Sequence, residues 1–376
     1  MTADHLKIYA LHHVTYASFG FFDVAQGFIF ISGFVAGGYY SNLADCKGVA
    51  AMTDRALRRA RDIYFTHLGL IALMLGGAAL IHISHPFAAL SVGSLHGVQI
   101  LGSLAIALRA ATLLVLPHYF EILPLYVILM LLVPLLVVCW RAERMLWALN
   151  LSGCLWFLSQ PDVLASPILP GWVNWGAFNF FAWQFLFVCG FSLGCLQRNQ
   201  APGAWFYSNR CRAVVFVLFS VLFVLRHSHI ILGAGMHGVS LDHGPWWFAK
   251  PTLGPLRIFD FGLFACLLAQ IVKKYGQSLE KTVLHRYLRF PGQHSLQVAA
   301  WSIIVWRTMP YSFKLLGLVD SHGAQIALSL LGISTLYIPA WLHLTNRTYR
   351  NRLRGPTASP PPELAKIAPE VGLDLV

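Results

Sequence analysis

Long apolar runs separated by short polar segments set the pattern of this chain. A transmembrane α-helix needs about 20 mostly apolar residues, and most of the runs approach that length. The pattern therefore predicts an all-α fold, a polytopic transmembrane helix bundle. We expect about nine complete spans, at residues 22–40, 63–83, 122–140, 145–159, 177–196, 213–232, 255–272, 295–313 and 324–343.

Two other stretches are not predicted to be simple spans. The apolar run 97–116 contains Arg109 and is followed by Pro117, which predicts a re-entrant or interfacial helix on the outer side. Residues 1–20 lack the basic start and the continuous apolar core of a signal peptide. Their polar side chains also make them a poor membrane span.

Composition supports the membrane interpretation. The chain has 57% hydrophobic and 11% charged residues, and its mean hydropathy is +0.62. A soluble domain of this size cannot hide so much apolar surface, so the lipid bilayer is the expected solvent. The seven cysteines are scattered singly, and their spacing predicts neither a zinc site nor a disulfide framework.

Positive charge is distributed loop by loop. A net charge of +12 would suggest nucleic acid in a soluble protein. In a membrane protein, lysine and arginine mark cytoplasmic loops instead, so we expect no nucleic-acid partner. Twenty of the 27 lysines and arginines lie in alternate segments that we predict to be cytoplasmic: 41–62, 141–144, 197–212, 273–289 and the tail from 344 onward.

This distribution also predicts the domain organisation. Residues 1–343 form the predicted transmembrane domain, and residues 344–376 form a cytoplasmic tail. After Arg354 the tail is proline-rich and has no apolar face, a composition typical of disorder. With nine spans and a cytoplasmic C-terminus, the N-terminus is predicted to lie outside.

The segment 41–62 carries a row of arginines. Thr53 is predicted to cap a helix that continues into the next apolar run. Arg55, Arg58 and Arg59 then lie at i, i+3 and i+4 on one helix face, with Arg61 close by. Planar guanidinium groups suit phosphate and pyrophosphate, so the row is a candidate anion site. The alternative is that it serves only as an orientation signal.

Several blocks of the chain, in order, resemble the OpgC family. The resemblance covers nearly the whole sequence, and its blocks are Asp4-His5, Phe19 to Gly37, Arg58 to His67, Ile122 to Tyr126, Phe178 to Gln184, Leu253 to Arg257 and Gly292 to Leu296. This family belongs to the acyltransferase 3 superfamily of ten-helix membrane enzymes. The resemblance implies transfer of an acyl group, typically succinyl, from coenzyme A to hydroxyls of periplasmic glucans. It also implies location in the bacterial inner membrane, with acyl-CoA as co-substrate and no permanently bound cofactor.

One departure from the family pattern concerns the start of the chain. Members of the family carry an Arg-Asp and an Arg-Gly pair on a first helix that precedes the Asp-His, whereas here Met1 lies three residues before Asp4. We therefore expect that the first helix is missing, through a late start codon or a truncated copy.

The resemblance also suggests catalytic residues. O-acyl transfer from a thioester needs a base for a sugar hydroxyl, and histidine has a suitable unperturbed pKa. His5 is the candidate base, and Asp4 is either its neighbour in the site or a solvated or capping acid. Asp23 and Gln26 lie three residues apart at the outer end of a helix, where they orient either His5 or a sugar hydroxyl; the alternative is interfacial polar residues.

Donor binding is argued from charge. Coenzyme A is made in the cytoplasm and carries a pyrophosphate and a ribose phosphate, so its site is expected to open to the basic loops. The row formed by Arg55, Arg58, Arg59 and Arg61 fits this site. His294 and Ser295 follow a Pro-Gly turn and are candidates for the same mouth; the alternative is that Ser295 only caps a helix.

Further polar residues are candidates to bind the acceptor or a carboxylate on the acyl group. These are Gln26, Arg257 and Lys250, and Arg257 is also predicted to form a neutralised pair with Asp260. Four histidines within 227–243 have no spacing of a closed zinc site, so no metal site is predicted. Tryptophans in the outer loops form either an aromatic belt or a stacking surface for sugar rings.

Two alternatives to a membrane O-acyltransferase remain open. A glycan or lipid transporter or flippase would also have many spans and few intramembrane charges, although no inverted repeat is apparent. An inactive truncated homologue is the second alternative, because of the missing helix.

The predicted orientation can be tested by cysteine labelling. A cysteine introduced at Ser240, in the predicted outer loop 233–252, should react with a membrane-impermeant reagent from the periplasmic side. Labelling of that position only from the cytoplasm would reverse the orientation.

Overall fold

The computed structural model describes most of the helical part of the chain. The described residues are 20–80, 111–113, 121–160, 178–199, 203–227, 246–315, 317 and 321–354. Within these ranges the fold is all-α, without a β-strand, as predicted. They divide into two compact units whose boundary falls between Leu267 and Leu268.

The helices are numbered in chain order. They are α1 (Val24–Leu80), α2 (Ile122–Arg141), α3 (Met145–Leu158), α4 (Phe180–Asn199), α5 (Asn209–His227), α6 (Pro255–Glu280), α7 (Val283–Gln293), α8 (Ser295–Leu315), α9 (His322–Ser334) and α10 (Tyr337–Arg354). Two short 3₁₀ helices, Ala204–Tyr207 and Trp246–Phe248, lie before α5 and before α6.

Helix α1 is 57 residues long and is broken once, at Gly48. Gly48 has a φ of 84°, a left-handed conformation that glycine adopts without steric cost. The prediction that Thr53 caps a new helix is wrong, because the helix resumes directly after Gly48. The reason is that Val49 to Met52 can all adopt helical dihedrals, so the glycine rather than the Thr-Asp pair sets the break.

Close packing of α1 against α4 rests on two glycine pairs. Gly33 and Gly37 of α1 face α4, and a Cβ atom on either would lie 2.2 or 2.1 Å from a backbone oxygen of that helix. Gly190 and Gly194 of α4 face α1 in the same way, at 2.2 and 1.9 Å. The spacing of four residues puts each pair on one helix face, and small residues there let membrane helices approach backbone to backbone.

Polar side chains tie α2 and α3 to this helix pair. The Tyr126 hydroxyl of α2 donates to the carbonyl oxygen of Phe28 at 2.9 Å and lies 2.9 Å from the Ser32 hydroxyl. The Ser152 hydroxyl of α3 donates to Gln184 Oε1 of α4 at 2.6 Å, and Gln184 Nε2 donates back to the Ser152 carbonyl. Such bonds specify which helix faces meet.

Four helical stretches among the described residues are long and apolar enough to cross a membrane. They are Ile122–Arg141, Phe180–Arg198, Pro255–Glu280 and Ile326–Thr345, and they coincide with four of the predicted spans. Nine complete spans stay a prediction. Large apolar side chains on α2, α3 and α5 are exposed, which suits a lipid-facing surface better than a watery one.

The unit that follows Leu268 contains helices α7 to α10. Thr282 caps α7 by accepting a hydrogen bond from the backbone N–H of His285, at 3.1 Å. Trp301 Nε1 of α8 donates to the Thr335 hydroxyl between α9 and α10 at 3.0 Å. Helix α10 continues to Arg354, past the predicted domain boundary at 343.

We predict that Gly194→Ala destabilises the protein by about 1 to 3 kcal/mol, because the added methyl group collides with the Phe34 carbonyl oxygen. The free energy of unfolding in detergent would measure this. Gly262→Ala is the matched control, since nothing lies within 4 Å of its Cβ position. Equal stability of the two variants would contradict the packing described here.

Candidate functional site

A cluster of charged side chains lies at the N-terminal end of α1. Asp23 Oδ2 is 3.2 Å from Lys250 Nζ and 3.1 Å from Arg257 Nη2, so one carboxylate oxygen contacts two cations. The Arg257 side chain is 1% exposed. A buried guanidinium needs a carboxylate and hydrogen-bond acceptors around it, which explains why Asp23 is drawn to this position.

Gln26 fixes the orientation of Asp23. Gln26 Oε1 accepts from the Asp23 backbone N–H at 2.9 Å, and the Gln26 N–H donates to Asp23 Oδ1 at 3.3 Å. This is the reciprocal arrangement of a capping box, and it begins α1 at a defined residue. Gln26 Nε2 donates to the Arg257 carbonyl at 3.1 Å, which links the start of α1 to the start of α6.

Asp260 holds the chain just before the cluster. Its Oδ2 accepts from the Phe21 backbone N–H at 2.6 Å, and it is fully buried. A Cβ at Gly20 would lie 2.4 Å from the same oxygen, so only glycine fits there without rearrangement. Arg226 lies over the Phe21 ring, 5.5 Å from its centroid.

The predicted pairing of Arg257 with Asp260 is refined by these contacts. Both residues are buried. Arg257 forms an ion pair with Asp23. Asp260 accepts the backbone hydrogen bond from Phe21 and lies within electrostatic range of Arg257. Arg257 and Asp260, three residues apart on α6, thus hold the entrance of α1 at two points.

The turn before α6 positions Lys250. Four consecutive carbonyl oxygens of this turn accept side-chain hydrogen bonds: Lys250 and Pro251 from Trp183 Nε1, Thr252 from Gln160 Nε2, and Leu253 from Trp156 Nε1. The distances are 2.9 to 3.2 Å. Gly254 closes the turn, since a Cβ there would lie 2.5 Å from Trp247 backbone atoms.

The arginine row lies in the first turns after Gly48. The predicted helical spacing is confirmed, since α1 is continuous through these residues. Arg58 forms an ion pair with Asp54 one turn earlier, and Arg61 Nη2 is 3.8 Å from Asp62 Oδ1. Arg58 and Arg61 are exposed, whereas Arg55 and Arg59 are partly buried and lie within electrostatic range of the Tyr40 phenol.

His294 and Ser295 lie at the corner between α7 and α8. His294 is buried, and its carbonyl oxygen accepts from the Val298 N–H at 3.0 Å. Helix α8 begins at Ser295 itself, so His294 rather than Ser295 precedes the helix. Both residues belong to the unit after Leu268, whereas the arginine row belongs to the other unit. A mouth shared by the two sets stays a prediction.

Other predicted site residues lie outside the described residues. These include the candidate base His5, its neighbour Asp4, most of the re-entrant run 97–116, and the outer-loop histidines from 229 to 243. Their roles therefore stay predictions.

Sequence reasoning missed two contacts. The first joins Asp23 to Lys250 and Arg257 over more than 220 positions, a distance that no local spacing reveals. A signal was nevertheless present, because two cations near predicted membrane spans require an acid, and few acids are available in so apolar a chain. The second is the hydrogen bond between His294 and His343. His343 is the last residue of the predicted span 324–343.

Apolar helices packed through glycines, with a buried ion cluster at one helix entrance, define a helical integral membrane protein. The sequence profile described as OpgC protein matches residues 1–348. The chain therefore belongs to the OpgC family, a transferase family whose proteins are associated with modification of glucans. No curated protein sequence and no solved structure matches the chain.

We predict strong coupling between Asp23 and Arg257. Removal of one partner from a buried pair costs about 3 to 5 kcal/mol, because the other charge stays buried. Asp23→Asn and Arg257→Gln should each lower the free energy of unfolding, and the double variant should lose less than the sum. Lys250→Gln is the control, and its smaller loss follows from its greater exposure. Strictly additive losses would contradict the pairing.

Proposed function

We propose that this protein is a membrane O-acyltransferase that moves an acyl group, succinyl in the leading case, from acyl-CoA to hydroxyls of a periplasmic glucan. Membership of the OpgC family supports the class of reaction. The observation that carries the proposal within the molecule is the buried cluster of Asp23, Lys250 and Arg257. We place the protein in the bacterial inner membrane with a cytoplasmic C-terminus.

The cluster suits recognition of a carboxylate or of sugar hydroxyls. Lys250 and Arg257 already bind one carboxylate, that of Asp23, and the cations exceed the acid by one charge in this trio. A terminal acyl carboxylate would meet the same donors in a partly dry site, where charge-assisted hydrogen bonds are strong. Gln26 adds an amide whose orientation is fixed by its bonds to Asp23 and Arg257.

The chemistry requires one net proton transfer, from the glucan hydroxyl to the leaving sulfur. The glucan hydroxyl oxygen attacks the thioester carbonyl, a C–O bond forms, the C–S bond breaks, and the coenzyme A thiolate leaves. A base accepts the hydroxyl proton and passes it to the thiolate. The family resemblance proposes His5 for this role, with Asp4 adjacent in sequence. Asp23, held by two cations, is better suited to orient groups than to take the proton.

Arg55 and Arg59 are the stronger candidates for the phosphates of coenzyme A. They are partly buried, whereas Arg58 and Arg61 are exposed and each lies near a carboxylate of its own helix. A phosphate contact gains most where the surroundings exclude water, and least where an exposed charge already has a partner. The row also lies in a segment predicted to be cytoplasmic, where coenzyme A is made.

The reaction can be tested with the purified chain in lipid nanodiscs. Succinyl-CoA and a glucan oligosaccharide are supplied, and both free thiol and succinylated glucan are measured. The proposal expects both products in equal amounts, and their loss in His5→Ala by about 10² to 10⁴ in rate. In sealed proteoliposomes, movement of glucan across the membrane with no thiol release would favour the transporter alternative and contradict the proposal.

Arg59→Ala should weaken binding of succinyl-CoA, and the matched Arg58→Ala variant should weaken it less. A charge-assisted contact is worth about 1.5 to 3 kcal/mol, which corresponds to a ten- to hundred-fold change in Kd. Titration calorimetry with the protein in nanodiscs would measure both. Unchanged affinity in both variants would return the row to the role of an orientation signal.

A further inference from the structure

Two histidines, one at a helix corner and one on another helix, meet ring nitrogen to ring nitrogen in the unit that begins at Leu268. Nδ1 of His294 is 3.0 Å from Nδ1 of His343. The ring centroids are 5.1 Å apart and the planes are inclined by 71°, so the contact is a hydrogen bond rather than a stack. His343 lies on α10, and His294 lies at the corner between α7 and α8.

Packing fixes the corner that carries His294. Its backbone N–H donates to the Pro291 carbonyl at 3.1 Å, and its ring packs edge-on against Phe290 at 5.3 Å. Phe290 also stacks on Tyr337 of α10, and the Tyr337 hydroxyl donates to the Tyr287 carbonyl. Helices α7 and α10 are thereby joined on the same side as the histidine pair, so the 3.0 Å contact is not an isolated encounter of two surface side chains.

The distance restricts the protons that the pair can carry. A hydrogen bond between two Nδ1 atoms needs one donor and one acceptor, so the contact holds one hydrogen and not two. When both rings are neutral, one must therefore be the Nδ1–H tautomer, and its Nε2 then bears a lone pair. If that ring gains a proton at Nε2, the imidazolium donates its Nδ1–H to the partner, which stabilises the charge.

We propose that His343 is a positioning residue for His294, and that the two rings share one Nδ1 proton as a single unit. The pair would hold His294 in one tautomer and one orientation, as a second group does for a histidine base or donor. This role rests on the proposed function, with His294 as a predicted contact of acyl-CoA. A ring that is already held in one orientation can hydrogen-bond acyl-CoA without a further loss of side-chain entropy.

The pair can be tested without any activity by nitrogen-15 NMR of the histidine-labelled full chain in nanodiscs. The chain has 16 histidines, so the two signals are assigned by comparison with His294→Phe and His343→Phe. We expect one ring in the Nδ1–H form in the wild type. That signal should disappear in either single variant, because the remaining ring loses its partner and returns to the Nε2–H form favoured in water.

Two further variants guard against loss of folding. The amide of His343→Asn lies near the position of imidazole Nδ1, whereas that of His343→Gln lies near Nε2. The Asn variant should therefore keep His294 in its wild-type tautomer and keep kcat within a few-fold, while the Gln variant should behave like Phe. Nε2–H tautomers on both wild-type rings, or a His294 signal that is the same in Asn, Gln and Phe variants, would overturn the proposal.

A metal ion is the competing explanation, since two ring nitrogens at this distance can bind one ion. Within the described residues no group of three His, Cys, Asp or Glu side chains is placed to complete such a site. Zinc alone, titrated into the wild type and His343→Asn, should show no stoichiometric binding that depends on His343. Binding that is lost in the variant would overturn the shared proton.

These arms separate the pair from the proposed function. If acyl transfer is absent but the Nδ1–H signal behaves as expected, the acyltransferase proposal fails and the pair stands. If acyl transfer is present but the signal is absent, the reverse holds.

Discussion

The contact between α1 and α4 constrains the rest of the first unit. Four glycines let the backbones of the two helices come into contact, and residue numbers rise together across that contact, so the helices run parallel. Their N-terminal ends therefore lie side by side. Asp23 precedes α1 and Asn179 precedes α4. The backbone N–H of Asn179 donates to the Pro251 carbonyl. The charged cluster forms where both helix starts meet the turn before α6. Membrane helices gain little from hydrophobic burial against each other, so this backbone contact is a main source of their attraction.

The cluster is the second consequence of that geometry. A guanidinium that is almost wholly buried is destabilising by itself, and Asp23 and the Phe248 backbone carbonyl offset that cost for Arg257. Asp260 and Gln26 extend the same logic to the backbone at the start of α1. Several hydrogen bonds, to side chains and to the main chain, therefore fix the start of α1 in one position. Sites that must hold a reacting group still are built in this way.

The sequence predicted the helical class, four of the spans that the structure describes, and the arginine spacing, because these depend on periodicity within one segment. It also selected Asp23, Gln26, Lys250 and Arg257 individually. It could not predict that these four residues meet, since their contacts cross more than 220 residues and depend on how helices pack. The prediction that a helix starts at Thr53 was wrong for a local reason. The break in α1 lies at Gly48, whose conformation outweighs the capping signal at Thr53. The His294–His343 contact was missed because the two histidines are 49 positions apart and meet only through the packing of α10 against the corner before α8.

The turn from Trp246 to Gly254 is held by its main chain. Trp183, Gln160 and Trp156 each donate a hydrogen bond to carbonyl oxygens of this turn. Mutations at positions such as 250 and 252 therefore leave the anchoring bonds in place. Natural variation can alter the chemical groups that this turn presents to a ligand while its position on the scaffold is retained. Under the proposed function, the turn is thus a place where related proteins can diverge in substrate preference without first having to evolve a new fold.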